Sequence, residues 1–453
     1  MTTIESERST APTATDRVVA VTSDSHVGPL LTEQLRAYCP KKYLEQFDDF
    51  VEYAKTLPLR MQGPSVDEDP RQSHFRNALT TGGWDVHQRL RDMDRDGVAA
   101  EIVFHGLNTG RQDFMPFNGP FGAFGLPGFD DELVGLGRHI YNEWLADFVS
   151  EEPERHAGLA HLPMWDPHAA VKELEWAAGK GLRGVNFPRQ QPGIPLYNDP
   201  VWDNFWAACE DLEMPLTSHA QSGPPTGAKL CPGDFEVNLY EIMGDLGRQA
   251  LTRMVFGGVF ERHPGVKLVY TEVIDTWWTS TLARMDNIAK FFIRSRSLPA
   301  TNQVNGASSG SVAALSKMPS EYCKQNVFIG WSAIAPFEAE DAVENGYDTQ
   351  VLWGSDYPHP EGSWQYPRTD DEVPMTHLHL RDSFARIPAD RAAGMIGGNA
   401  IRVYGLDADK LQAVAKRINA LTFEQLAVPL EEEPEDFLTR SAAFAFRREG
   451  PFV

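Results

Sequence analysis

Short runs of apolar and β-branched residues recur along the whole chain, separated by stretches that have the spacing of an amphipathic helix. Apolar runs of this length are typical of buried strands, whereas apolar positions three and four residues apart indicate helices. The pattern predicts eight strands, at Val18–Ser23, Ala100–Phe104, Gly158–Leu162, Arg183–Phe187, Pro215–Ser218, Lys267–Thr271, Val327–Gly330 and Val351–Gly354. It predicts helices at Asp85–Asp96, Glu132–Glu151, Pro167–Lys180, Pro200–Glu213, Glu241–Phe256, Thr276–Ile293, Ala335–Gly346 and within Pro388–Ile396.

Strands that alternate with helices imply parallel strands joined by right-handed crossovers. Eight such units in 453 residues favour an α/β fold closed into a (β/α)₈ TIM barrel over an open sheet. We therefore expect one barrel domain at residues 18–406. A disordered leader at 1–17 would precede it, and a helical and acidic C-terminal extension at 407–453 would follow it.

Three connections are too long for plain loops and are predicted to be insertions: Gly106–Gly137, Gln221–Asn238 and Arg294–Lys317. The first two follow strands, so they are candidates for lids over an active site; alternatively, they are surface decoration or oligomer contacts. A set of aromatic side chains could line an apolar substrate cavity or belong to the core: Phe114, Phe117, Phe121, Phe124, Phe129, Trp277 and Trp278.

Polar residues suited to catalysis or metal binding stand at the ends of five predicted strands. They are Asp24 and His26 after the first strand, His105 after the second, His219 after the fifth, Glu272 after the sixth and Asp356 after the eighth. The carboxyl ends of parallel strands meet at one rim of a barrel, where barrel enzymes carry their chemistry, so we expect these six residues to lie together. Three imidazoles and three carboxylates form a ligand set for one or two divalent transition metals.

Two of these residues also have other interpretations. Glu272 could be a carboxylate that supports a ligand or forms an ion pair, and His105 could be a hydrogen-bonding contact to substrate. Together with Asp356, both are candidates for catalytic acid–base roles.

Composition and charge exclude several classes of partner. The chain has 64 Asp and Glu against 41 Lys and Arg, a net charge of −23, which is unfavourable for binding nucleic acid or an anionic membrane. No apolar run approaches the ~20 residues that a membrane-spanning helix needs. The four cysteines have no CxxC spacing, which fits a reduced, cytoplasmic setting.

Four segments of the sequence resemble the amidohydrolase superfamily: Ser23–His26, Pro215–His219, Gly354–Gly362, which contains Ser-Asp-Tyr-Pro-His, and Gly398–Gly405. The closest branch is the amidohydrolase-2 group, which includes aminocarboxymuconate-semialdehyde decarboxylase and related decarboxylases and hydratases. The resemblance runs from about residue 18 to residue 406. It implies that Asp24, His26, His219 and Asp356 are metal ligands.

The sequence departs from the family pattern at three positions. Asp24 stands where many members have a first histidine, and the end of the fourth strand offers Asn186 with no lysine to bridge two metals. Glu272 occupies a strand-six position where hydrolytic and decarboxylating members often carry histidine. With His105, this carboxylate-rich set resembles a smaller branch, the non-haem diiron monooxygenases of diterpenoid biosynthesis, which hydroxylate bulky substrates carried as coenzyme A thioesters.

Two enzyme mechanisms follow from these residues. Six mixed ligands favour two iron ions, because carboxylates and imidazoles with open positions are typical of non-haem iron. The resemblance to the diiron branch then implies hydroxylation of a bulky hydrophobic substrate. The alternative is a single zinc or manganese ion that serves a hydrolase or decarboxylase of a small carboxylated substrate. A third interpretation is a binding protein without catalysis. For the oligomeric state, we expect a homodimer.

Overall fold

Eight parallel strands follow one another around a barrel in the order in which they occur in the chain. The computed structural model describes residues 11–57, 73–107, 114–119, 122, 125–219, 237, 247–273, 276–294, 303–304, 307–308, 315–332 and 334–430. The strands are β1 (Ala20–Val27), β2 (Val98–His105), β3 (His156–Ala160), β4 (Gly184–Asn186), β5 (Leu216–His219), β6 (Leu268–Thr271), β7 (Val327–Ser332) and β8 (Val351–Gly354). All eight predicted strands are present, and the predicted (β/α)₈ barrel is confirmed.

The barrel closes between β1 and the segment that follows β8. The backbone N–H of Asp356 donates to the carbonyl of Asp24 at 2.9 Å, and the N–H of His26 donates to the carbonyl of Tyr357 at 2.6 Å. Ser25 and Tyr357 form a parallel bridge between these two bonds. The closing seam therefore runs through the residues that the sequence singles out as ligands.

The described helices lie outside the strands. They are α1 (Leu44–Ala54), α2 (Val86–Asp96), α3 (Asp131–Val149), α4 (Pro167–Gly179), α5 (Asp203–Asp211), α6 (Gln249–Phe256), α7 (Val259–Arg262), α8 (Trp277–Arg294), α9 (Pro319–Asn326), α10 (Pro336–Glu344), α11 (Met375–Phe384), α12 (Ala389–Ala393), α13 (Asn399–Tyr404), α14 (Ala408–Arg417) and α15 (Phe423–Leu426). Side-chain caps fix several helix starts: Asp85 accepts from the N–H of His87 at the start of α2, and Asp166 accepts from that of His168 at the start of α4.

Some predicted elements differ from the observed ones. The helix expected at Pro200–Glu213 divides into a 3₁₀ turn, Pro200–Trp202, and α5. The helix expected at Glu241–Phe256 is described only from Gln249 onward, since residues 241–246 lie outside the described residues. The helices α1, α7, α9, α11 and α13 were not predicted.

Two apolar clusters form the core. One fills the barrel and includes Val21, Ile102, Leu159, Phe328 and Leu352, and it continues to Tyr404 and Leu406 below the strands. The larger one lies between the strands and the surrounding helices. Phe117, Phe129, Trp277 and Trp278 belong to the larger cluster or pack against it. They are therefore part of the core; Phe121 and Phe124 lie outside the described residues.

The ends of the described chain pack against each other. The N–H of Val18 donates to the carbonyl of Leu421 at 2.8 Å, and the N–H of Phe423 donates to that of Asp16 at 3.1 Å. The last part of the predicted leader is thus bonded to the C-terminal extension. Residues 1–10 and 431–453, and nearly all of the predicted insertion at 221–238, lie outside the described residues. Among the helices that the structure describes, none combines the length and apolar character needed to cross a bilayer.

Candidate metal centre at the carboxyl end of the barrel

A bulge in β1 turns two ligand candidates into the barrel. Thr22 pairs with Glu101 and Ser25 pairs with Val103, so β1 has one residue more than β2 between these pairs. Regular alternation from the inward-facing Val21 would place Ser25 inside and leave Asp24 facing the helices. The extra residue shifts the phase, and the side chains of Asp24 and His26 face the interior.

Four of the predicted ligands converge at the mouth of the barrel. Oδ1 of Asp24 lies 3.1 Å from Nε2 of His26 and 3.4 Å from Nε2 of His219. Oδ1 of Asp356 lies 3.3 Å from the same Nε2 of His26. Asp24, His26 and Asp356 are buried, and the side chain of His219 is 10% exposed.

These separations match those of atoms that share a metal ion. Bonds of about 2.1 Å at angles of 90° to 109° place neighbouring ligand atoms about 3.0 to 3.4 Å apart. The second oxygen of Asp24 accepts a hydrogen bond from the hydroxyl of Ser332, which leaves Oδ1 directed at the imidazoles. Asp24, His26 and His219 therefore fit a divalent cation by chemistry and by spacing, and Asp356 adjoins this group through its contact with His26.

Two residues that contribute carboxylates to the mouth have backbone dihedral angles in the left-handed region. Glu272 has φ of +58° and Asp356 has φ of +54°. Such conformations cost about 1–3 kcal/mol for a residue with a side chain and persist only where the surroundings enforce them. Here the N–H of Glu272 donates to the carbonyl of Gly330 and the N–H of Asp356 donates to that of Asp24, both at 2.9 Å. Hydrogen bonds to neighbouring strands thus keep both carboxylates at the mouth.

Glu272 lies beside the four ligands. One carboxylate oxygen is 3.7 Å from Nδ1 of His219, and the side chain is 23% exposed. Oxygens of Glu272, Asp356 and Glu361 also lie within 4.8 Å of one another. Glu272 thus borders the metal-capable group and is partly open to solvent.

His359 is a further residue of the centre that sequence reasoning did not select. Its ring stacks on that of His26 with centroids 3.9 Å apart. Its Nδ1 lies 2.9 Å from Oδ1 of Asp356, and its Nε2 lies 3.0 Å from the carbonyl of Gly106. The Ser-Asp-Tyr-Pro-His motif contained this histidine, and its i+3 spacing from Asp356 was the available signal.

The electrostatics of the mouth favour a cation. Burial raises the pKa of Asp24, but His219 and His26 more than offset this and hold that pKa well below its usual value. Burial raises the pKa of Glu272 well above its usual value, and Asp356 and Asp24 add to the rise while His219 opposes it. The carboxylates therefore repel one another at close range, and a divalent cation relieves that repulsion.

His105 does not join this group. The ring of Phe104, one residue earlier, lies 4.8 Å from that of His219, so Phe104 faces the interior and His105 faces the opposite side of β2. The described ring neighbours of His105 are Tyr141 and His161, at 4.9 and 6.1 Å. The geometry gives no support to His105 as a ligand, because it extends from the wrong face of its strand.

A family model described as amidohydrolase matches residues 84–406. The chain is 25% identical over 343 residues to 2-amino-3-carboxymuconate-6-semialdehyde decarboxylase of Dictyostelium discoideum, covering 74% of this chain and 81% of that protein. It is 31% identical over 192 residues to a gamma-resorcylate decarboxylase of Rhodococcus jostii, covering 40% of this chain and 54% of that enzyme.

Solved structures share the fold. The 5-carboxyvanillate decarboxylase of Sphingomonas paucimobilis superposes with a TM-score of 0.55 at 22% identity, covering 86% of this chain and 100% of that one. A dihydroxybenzoic acid decarboxylase of Polaromonas, solved with bound manganese, gives a TM-score of 0.54 at 16% identity. The match covers 87% of this chain and 98% of that one. At these identities the likeness concerns the fold alone.

These comparisons correct the expected chemistry. The prediction of a non-haem diiron monooxygenase that hydroxylates a hydrophobic coenzyme A thioester is wrong, because the related proteins named above are decarboxylases. The expectation of two iron ions has no support in them either. The error arose because Glu272 and His105 were counted as ligands of a second metal, whereas the structure turns His105 away.

Proposed function

The chain belongs to the amidohydrolase family, and on that premise we propose that it is a metal-dependent decarboxylase of a small unsaturated or aromatic carboxylic acid. The convergence of Asp24, His26, His219 and Asp356 at the barrel mouth is the observation that carries the proposal. The activities of the two relatives named above support the reaction type, since both act on conjugated or aromatic acids.

We propose that these four side chains hold one divalent ion. Two carboxylates beside two imidazoles suit manganese or zinc, and the Polaromonas structure with bound manganese favours the former. When bound, the cation offers positive charge and open positions to the oxygens of an acidic substrate.

The surrounding residues have separate roles in the proposal. Phe104, whose ring lies 5.7 Å from that of His26 and 4.8 Å from that of His219, provides an apolar wall that keeps water from the reacting carbon. Glu272 borders the mouth and is partly open to solvent, so it can deliver a proton to that carbon and regain one from water. The bond between the ring or chain carbon and its carboxylate breaks, the electron pair remains on the carbon and takes the proton, and CO₂ leaves.

Release of CO₂ by metal-loaded protein tests this function. The protein would be depleted of metal with a chelator, reloaded with Mn²⁺ or Zn²⁺, and incubated with 2,6-dihydroxybenzoate, 5-carboxyvanillate and aminocarboxymuconate semialdehyde. We expect one ion per chain and CO₂ release that depends on it. A folded protein that holds one ion and releases no CO₂ from any of these acids would contradict the proposal.

Two matched histidine variants locate the metal in the same experiment. His219→Ala removes a proposed ligand at the end of β5. His105→Phe changes a buried histidine at the end of β2 whose ring faces away from the mouth. We expect loss of the ion in the first variant and one ion per chain in the second; loss of the ion in both would indicate a different site.

A further inference from the structure

A fully buried ion pair lies behind the bulge that carries the ligands. The side chains of Arg89 and Glu101 are 0% and 1% exposed. Nε and one terminal nitrogen of Arg89 donate to Oε2 of Glu101 at 2.8 and 2.5 Å. Nδ1 of His156 lies 2.8 Å from Oε1 of the same carboxylate. The pair sits between β2 and α2, on the outer side of the barrel wall.

The pair is bonded to the residue between the two β1 ligands. The hydroxyl of Ser25 donates to Oε2 of Glu101 at 2.8 Å and lies 2.9 Å from the carbonyl of Ile102. These contacts hold Ser25 on the outer face of β1. Because the bulge turns Ser25 outward and its neighbours Asp24 and His26 inward, fixing Ser25 also fixes the phase of the bulge.

The pair also reaches the other side of the closing seam. The remaining terminal nitrogen of Arg89 donates to the carbonyl of His26 at 3.0 Å. The guanidinium lies 3.8 Å from the centre of the Tyr357 ring, and Tyr357 directly follows Asp356. One buried guanidinium thus contacts the backbone of one proposed ligand and the chain neighbour of another.

Stability alone does not account for a pair of this kind. Removing two charges from water costs about as much as their attraction returns, and apolar residues of similar volume are often equally stable in their place. Buried ionic groups are best attested as devices that specify register. The pair contacts Ser25 and the closing seam, where the register of β1 determines which of its side chains face the mouth of the barrel.

We propose that Arg89 and Glu101 are positioning residues for the metal centre: they lock the β1 bulge in the phase that presents Asp24 and His26 to the cation. The inference rests on the proposed metal-binding function. It predicts that removal of the pair weakens metal binding, whereas removal of an equally buried charge elsewhere affects stability alone.

The test measures affinity for Mn²⁺ alone, in protein first depleted of metal, from the electron paramagnetic resonance signal of the free ion. The double variant Arg89→Met with Glu101→Leu replaces the pair by apolar side chains. We expect its affinity for Mn²⁺ to fall about 10- to 100-fold, the usual range for residues that orient ligands. Its thermal stability should also fall somewhat, because the buried Nδ1 of His156 loses its carboxylate partner.

Arg155→Met is the matched control. Arg155 is equally buried, but it bonds to the carbonyls of Val98 and Ala99 and to Asp94 at the other end of the barrel. We expect its affinity for Mn²⁺ to be unchanged whatever its stability. An equal loss of affinity in this control would overturn the proposal, because the effect would then be general.

Ser25→Ala tests the same role if the double variant does not fold. It removes the hydroxyl that links the bulge to Glu101 and leaves the charges in place, and we expect an affinity loss of several-fold. Affinity equal to that of the unsubstituted protein, in a folded double variant or in Ser25→Ala, would overturn the positioning role. An unsubstituted protein that binds no Mn²⁺ would overturn the proposed function, and the inference with it.

Discussion

Replacement of Asp96 by Asn should stabilise the protein at alkaline pH. Asp96 is the last residue of α2, and the residue is 5% exposed. Burial raises the pKa of Asp96 to about 7, against the opposing effects of a hydrogen bond from Thr376 and of Arg95. Asn has nearly the same shape and carries no charge, so the substitution removes the cost of burying the ionised carboxylate.

The size of the effect follows from the difference in pKa. The ordinary pKa of an Asp side chain is 3.8, and a shift of about three units corresponds to about 4 kcal/mol. The pKa of Asp96 is higher in the folded protein than in the unfolded chain. Its contribution to the free energy of unfolding is therefore fully present below pH ~4 and is lost as the pH rises toward ~7. We therefore expect the variant and the unsubstituted protein to be about equally stable at pH 4. At pH 8 the variant should be more stable by up to about 4 kcal/mol.

Thermal unfolding at a series of pH values measures this difference. For a chain of this size, about 4 kcal/mol corresponds to a rise of about 4 °C in Tm. The pKa of the neighbouring His377 is lowered to about 4 by burial, but this group contributes to both proteins and cancels in the comparison. A difference in Tm that is the same at pH 5 and pH 8 would refute the reasoning, since the effect would not come from ionisation.

The other predictions concern the mouth of the barrel. Asp24→Asn removes one of two anionic ligands, and we expect metal content measured by mass spectrometry to fall with activity; full metal content would contradict its role. His359→Phe keeps the ring on His26 but loses the contacts to Asp356 and Gly106, so titration should show about ten-fold weaker metal binding. Glu272→Gln should retain the metal and lose CO₂ release by about 100-fold or more; loss of the metal instead would make Glu272 a ligand.

The strands could be predicted because their pattern is local. Each β/α unit carries its own apolar run and its own helix signal, and all eight predicted strands are present. The helix α1 shows the limit of this approach. It buries Phe47, Phe50 and Ala54 with ordinary helical spacing, but its segment lay between β1 and a helix that was already assigned, so nothing in the β/α alternation required it.

The candidate site was predicted in part. Four residues could be placed at one rim because each follows a strand and the parallel strands of a barrel end at the same rim. They are Asp24, His26, His219 and Asp356. The same reasoning also placed His105 there, although its side chain extends from the outer face of β2. A position at the end of a strand specifies the rim of the barrel but not whether the side chain faces the interior or the surrounding helices. A shift of one residue along the strand exchanges these two faces.

By itself, the sequence determined the fold class and the carboxyl-end rim as the place of the chemistry, since both follow from periodicity and from residue types at strand ends. Only the tertiary structure decided which of those residues meet. The bulge in β1, the left-handed backbone at Glu272 and Asp356, and the stacking of His359 on His26 depend on contacts between segments far apart in the chain. Such contacts leave no periodic signal, because they are set by which strand and which face lie opposite after the barrel has closed.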